Sequence, residues 1–171
     1  ALIDPLLLFV ALPRNIAFLA KSTLFKMPIV GFLIKAVGAL PLYRQQDAGQ
    51  DVSKNQETFT LTRELLKKGG AIAIFPEGVS HDSPKLLPLK TGAARIGLGA
   101  VSVGENPDAL DLKIIPVGLY YTNKTTFRSE ALLHFGEAID VTRVELDENG
   151  QPSKESVKEL TAKIETGLRE V

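Results

Sequence analysis

Ala71-Ile72-Ala73-Ile74-Phe75-Pro76-Glu77-Gly78-Val79-Ser80-His81-Asp82 is the stretch that decides how this chain folds. Its first five residues are apolar and read as a buried strand. Pro76 and Gly78 then break the strand, which leaves Glu77, Ser80, His81 and Asp82 at its carboxyl end. In open α/β sheets that edge is where ligands bind. Costly polar residues gathered there point to an enzyme.

Outward from this strand, the flanking segments alternate between helix and strand signals. Upstream, Ser53-x-x-Gln56 is a capping-box pattern, and Phe59, Leu61, Leu65 and Leu66 carry a helix until Gly69-Gly70 stops it. Further upstream, helices are expected over Pro5 to Leu12 and Ile29 to Val37, with strands over Ile16 to Ala20 and Leu40 to Tyr43. Downstream, Ala93 to Val101 reads as a helix of small residues, and Lys113 to Tyr121 and Ala131 to Phe135 read as strands. Asn149-Gly150 marks a turn. Ser153 then caps a helix whose Val157, Leu160, Ile164, Leu168 and Val171 lie near one face. The expected fold is α/β: one domain over residues 1–171, with a mixed, largely parallel central sheet flanked by helices.

Composition narrows the function classes. The chain has 171 residues, 44% hydrophobic and 23% charged, enough for one domain with a real core. A formal net charge of zero argues against nucleic acid as a partner, since a basic face supplies most of that affinity. The absence of cysteine removes any thiol nucleophile or thiolate metal site. Two histidines without a supporting acidic cluster give no pattern for a metal, so none is expected. No apolar run reaches the roughly 20 residues that span a bilayer. Arg14, Lys21, Lys26, Lys35 and Arg44 face only Asp4 in the first 46 residues, so the most apolar part of the chain is also basic.

The run from Phe75 to Asp82, continued by Leu87-Pro88-Leu89-Lys90-Thr91-Gly92, resembles the glycerolipid acyltransferase family. Asp4-Pro5, Gly38-Ala39-Leu40-Pro41-Leu42-Tyr43-Arg44 and Ile114-Ile115-Pro116-Val117 are similar to three further motifs of that family. They stand in its order, over about residues 1 to 122. Ser80-His81-Asp82, in place of the commoner threonine and arginine, is more like the branch that acylates glycerol 3-phosphate or dihydroxyacetone phosphate. The resemblance implies a catalytic histidine a few residues before Asp4. The sequence begins at Ala1, so it is expected to lack the amino-terminal part of the domain that carries this general base, and the fragment alone is expected to be inactive.

The resemblance also implies roles for particular residues. Asp4 would orient the imidazole that takes a proton from the acceptor hydroxyl while the oxygen attacks a thioester. The other reading is that Asp4 caps the helix that follows, with Pro5 at its first position. Glu77, a carboxylate between proline and glycine, would accept hydrogen bonds from an acceptor hydroxyl or hold the loop around the site. Gly78 would permit close substrate approach or a positive φ. Arg44 would grip a phosphate with two parallel hydrogen bonds. Lys90, before Thr91-Gly92 and a helix, would meet the same kind of anion, and Ser80 and His81 would make polar contacts to phosphate or loop. As ordinary surface groups, Arg44, Lys90 and His81 would need no explanation. His134 reads as a structural strand residue.

The chain is therefore expected to be an O-acyltransferase of phospholipid biosynthesis. Its donor would be acyl-CoA or an acyl carrier protein, and its acceptor glycerol 3-phosphate or a lysophospholipid. No cofactor is needed, because the thioester supplies the activation. The apolar run Leu24, Phe25, Met27, Ile29, Val30, Phe32, Leu33 and Ile34, set among Lys21, Lys26 and Lys35, suits an element lying on anionic lipid. The protein would then sit peripherally on a membrane, at its cytoplasmic face. A core helix with lysines reaching to water is the other reading of that run. The competing function is a catalytically silent lipid- or acyl-binding module.

Overall fold

Among the described residues, a helix runs straight into a strand through a pair of bonded turn amides twice. The computed structural model describes residues 3–36, 38–42, 55–79, 85–103, 110–123 and 128–171, which fall into two units, residues 1–75 and 76–171. The fold is α/β, as the alternation of segments predicts.

In the first unit, helix α1 (Ile3–Ala11) precedes strand β1 (Ile16–Lys21), a 3₁₀ turn (Ser22–Lys26) and helix α2 (Pro28–Ala36). Strand β2 (Leu40–Leu42), helix α3 (Asn55–Lys67) and strand β3 (Ala71–Ala73) follow. At the end of α3, Gly69 N–H bonds Leu66 C=O and Gly70 N–H bonds Leu65 C=O, both at 2.9 Å. Gly69 has φ +78°. This is the Schellman ending, whose left-handed residue is cheap only for glycine. The same pair of bonds ends α2, from Gly38 to Lys35 and from Ala39 to Ile34. Each ending delivers the chain into a strand within two residues.

The three strands form a parallel sheet in the order β2-β1-β3. Ile16 to Phe18 of β1 pairs with Ala71 to Ala73, and Leu19 to Lys21 pairs with Leu40 to Leu42. The amino half of β1 therefore holds β3 and its carboxyl half holds β2. Ile16, Ala17, Phe18, Leu8 and Leu66 are buried. Arg14 Nη2 donates to Gly69 C=O at 2.7 Å, tying the entry of β1 to the turn before β3.

Helix α3 departs from its sequence reading. Its buried stripe is Thr58, Thr62 and Leu66, whereas Leu61 is 45% exposed. The Ser53 capping-box reading lies outside the described residues.

The second unit holds helix α4 (Gly92–Ser102), strands β4 (Lys113–Ile114), β5 (Val117–Tyr121), β6 (Ala131–Phe135) and β7 (Ile139–Asp140), and helix α5 (Lys154–Glu170). The segment expected as one strand over Lys113 to Tyr121 is two. β4 pairs antiparallel with β7, and β5 pairs antiparallel with β6. Pro116 lies at the break, since it has no N–H for a ladder; its carbonyl accepts from Gly136 N–H at 2.9 Å. The Ser153 cap is found, its hydroxyl accepting from Ser156 N–H at 3.1 Å. Val157, Leu160 and Ile164 of α5 pack with Ala94 and Leu98 of α4 and with Val141 as the core of this unit. Gly97 of α4 faces Val141 and Ile114, where a methyl would meet them at 3.5–3.6 Å, an ordinary contact distance.

Candidate active site

The predicted site residues divide between the two units. In the first, β1 and β2 end level with each other at Lys21 and Leu42, whereas β3 ends at Ala73, opposite Phe18 of β1. Asp4 lies in the first turn of α1, half-buried. It does not precede the helix as a capping residue would; from inside the first turn its charge complements the helix dipole. Arg44, two residues beyond β2, lies outside the described residues, as do Ser80 and His81.

In the second unit the structure brings Glu77, Gly78 and Lys90 together. The Glu77 carboxylate accepts from Leu87 N–H at 3.0 Å, across ten residues of chain. Beside it, Lys90 N–H donates to Pro76 C=O at 2.7 Å. These bonds close residues 76–90 into a loop pinched at its base. Gly78 has φ +73°, and a methyl placed on it would lie 3.3 Å from Lys90 Cγ, so the lysine stem lies over the glycine. Glycine suits the left-handed backbone there, and a methyl would also press on the Lys90 stem. Lys90 itself is exposed, and Thr91 and the first turn of α4 follow it directly. The loop thus sets a carboxylate and an ammonium stem at the base of one closed segment. Sequence reasoning missed Leu87, because a backbone donor carries no mark in the sequence.

His134 is an exposed residue of β6 opposite Gly118, as the structural reading expected. Sequence reasoning also missed Thr58. Its hydroxyl, on a side chain only 2% exposed, donates to Pro41 C=O at 2.7 Å. Two further charged groups have unusual surroundings. Burial lowers the pKa of Arg63 on α3, and its Nε is buried without a hydrogen-bond partner among the described residues. Lys113 is raised, chiefly by its 2.5 Å hydrogen bond to Asp140 and then by Asp111.

These residues sit in a chain with clear relatives. The family model described as Acyltransferase matches residues 1–120, and the chain belongs to that family. It is 39% identical over 110 residues to glycerol-3-phosphate O-acyltransferase 2 of Saccharomyces cerevisiae, covering 64% of this chain and 14% of that protein. Glycerol-3-phosphate O-acyltransferase 1 of the same yeast is 40% identical over 110 residues, again 14% of its length. A chloroplastic 1-acyl-sn-glycerol-3-phosphate acyltransferase of Brassica napus is 28% identical over 128 residues, 74% of this chain and 33% of that protein. The chain thus spans about a seventh of each yeast relative, 14%. No solved structure gives a significant match.

Proposed function

We propose that this chain is the acyl-transferring domain of a glycerolipid O-acyltransferase, which moves an acyl chain from an acyl thioester to the hydroxyl of glycerol 3-phosphate or a related lysophospholipid. The closed loop of residues 76–90 carries the proposal, because it sets Glu77, Gly78 and Lys90 together within the family's matched residues. The yeast relatives, named for glycerol 3-phosphate, favour it as the acceptor over a lysophospholipid.

In this reading Asp4 holds the imidazole of the family's motif histidine in the tautomer that takes the acceptor proton. The acceptor oxygen attacks the thioester carbonyl, the carbon–sulfur bond breaks, and the thiol leaves with a proton. Glu77 holds its loop closed and accepts a hydrogen bond from the acceptor; the role proposed for Arg44 and for Lys90 is to grip a phosphate, and for Ser80 and His81 to make polar contacts to phosphate or loop. The donor is acyl-CoA or an acyl carrier protein. Since the thioester is already activated, the chemistry asks for no metal or redox group.

The proposed product is a lipid, for which a membrane surface is the natural destination. Ile29 and Phe32, one turn apart on α2, are 76% and 72% exposed, Met27 is 48% exposed, and Lys26 and Lys35 are exposed at either end of this set. That arrangement supports peripheral contact with anionic lipid. Among the described residues no helix is long and apolar enough to cross a membrane.

Thiol release from acyl-CoA tests the proposal, measured on the protein encoded in full beside its Asp4→Asn variant. Release that requires glycerol 3-phosphate and falls about 10²- to 10⁴-fold in Asp4→Asn is expected. Release with lysophosphatidate alone would move the acceptor one acylation onward. Binding of acyl-CoA without release from either acceptor would overturn the proposal in favour of a lipid-binding module.

A further inference from the structure

Arg63 of α3 is a charged group that the fold shelters without using. Its Nε is buried without a hydrogen-bond partner, and among the described residues its guanidinium makes no hydrogen bond or ion pair. The residue as a whole is half-buried, and Nε is its one nitrogen both buried and unpartnered, so water reaches the Nη groups at the end of an enclosed stem. Burial lowers its pKa, yet a guanidinium stays charged at any ordinary pH. The sequence around it brings no compensating charge. Three and four residues away along α3 stand Phe59, Thr60, Leu66 and Lys67, so helical spacing puts no carboxylate beside Arg63 and places a second cation there instead. Lys67 is exposed, and among the described residues it too has no ion pair. The carboxylates of α3, Glu57 and Glu64, stand about 100° or more round the helix from Arg63. A charge drawn partly out of water is stable in company, and this flank of α3 supplies none.

We infer that Arg63 is an anion-binding residue: its Nη groups take a phosphate monoester, and Lys67, one turn on, adds a second positive charge. The choice of phosphate rests on the proposed function, since glycerol 3-phosphate and coenzyme A each carry one. A guanidinium offers such a group two parallel N–H donors. Its enclosed stem leaves less side-chain freedom to be lost on binding than a freely moving arginine would lose. Helical side chains lean toward the amino end of their helix. For α3 that is the end that Thr58 fastens to Pro41 of β2, which pairs with the carboxyl half of β1. Ligands of parallel α/β sheets bind on that side. The site lies on a helix whose sequence carries none of the family's motifs.

The test is binding, independent of turnover: calorimetric titration of glycerol 3-phosphate and of coenzyme A into the full protein and into Arg63→Met, Arg63→Lys and Lys67→Met, with urea midpoints alongside. Arg63→Met keeps an apolar stem and removes the fork. It is expected to weaken glycerol 3-phosphate or coenzyme A about 10-fold or more, the factor that a charge-assisted hydrogen bond commands, with the urea midpoint level or higher. The ligand that weakens names the source of the phosphate, acceptor or donor. Arg63→Lys, which keeps the charge without the fork, is expected to lie between wild type and Arg63→Met. Lys67→Met is expected to weaken the same ligand about 2- to 3-fold, because an exposed charge contributes less. If Arg63→Met does not fold, Arg63→Lys carries the comparison. Affinities for both ligands that match wild type in Arg63→Met, or in Arg63→Lys where that variant stands in, would overturn the inference and leave the proposed function in place. A wild-type protein that binds neither ligand would overturn the proposed function and the choice of phosphate with it.

Discussion

Removing the Glu77 carboxylate should unfasten the base of the 76–90 loop, and the structure sets the size of the effect. The bond from Leu87 N–H to Glu77 is charge-assisted and half-buried, so its loss with Glu77→Ala should cost about 1.5–3 kcal/mol, the range for hydrogen bonds to charged groups. The loop remains closed by Lys90 N–H on Pro76 C=O. Its closure therefore grows only from ten intervening steps to fourteen, which adds about 0.3 kcal/mol of entropy. The hydrogen bond is the term that counts. For a chain of 171 residues the loss corresponds to a fall in Tm of roughly 3–10 °C. Glu77→Gln keeps an oxygen at the same place and should recover more than half of the stability, but not the charge that the proposed chemistry uses. Thermal melts and urea midpoints read the first effect, and kcat/KM for acyl transfer reads the second. A Glu77→Ala protein that melts with wild type would refute the loop-closing argument.

Other perturbations follow from single contacts. Gly78→Ala should cost about 1–2 kcal/mol from its left-handed φ alone, with a further small term where the methyl meets the Lys90 stem, read by urea unfolding. Arg63→Met should leave the fold as stable or raise it by up to about 1 kcal/mol, because it removes a buried Nε that has no partner among the described residues; a loss above that by the same assay would show a partner. Lys113 is held above its ordinary pKa by Asp140 and Asp111, so its contribution is fully present below the unfolded-state pKa and is lost as pH rises through the folded value. The wild-type advantage over Lys113→Met in urea midpoint should accordingly be level from neutral pH to about 10 and vanish above it. Its persistence at higher pH would show that the pair with Asp140 is not its source.

Much of the fold was legible because its signals are local. The Gly69-Gly70 stop, the Ser153 cap and the spacing of Val157, Leu160 and Ile164 each lie within one helix, and each is where the sequence places it. The break at Ile115-Pro116 was not legible, since an apolar run with one proline reads as one strand until its partners are known. Nor was the buried face of α3. The sequence reading rested on Phe59, Leu61, Leu65 and Leu66, whereas Thr58 and Thr62 are buried and each hydroxyl donates to a carbonyl. The site shows the same division. Glu77 stood out by its place between Pro76 and Gly78, whereas its partner Leu87 and the Lys90 stem over Gly78 depend on how ten residues of loop return.

The prolines of the three strand-associated motifs share one arrangement that joins these findings. Pro41 in β2, Pro76 beyond β3 and Pro116 between β4 and β5 each lack an N–H, and each has a carbonyl that accepts a hydrogen bond, from the Thr58 hydroxyl at 2.7 Å, Lys90 N–H at 2.7 Å and Gly136 N–H at 2.9 Å. A proline at such a point can accept a hydrogen bond but not donate one. The unpaired carbonyl then becomes an anchor for a distant segment: α3, the end of the 76–90 loop, or the residue after β6. Replacing the proline by alanine would leave the acceptor in place but add a donor that needs its own partner. Removing the distant donor would leave the carbonyl unsatisfied. The second change is the more disruptive wherever the carbonyl is buried. On this reasoning the prolines contribute by what they omit, and the specificity of each contact resides in the residue that comes to meet the carbonyl.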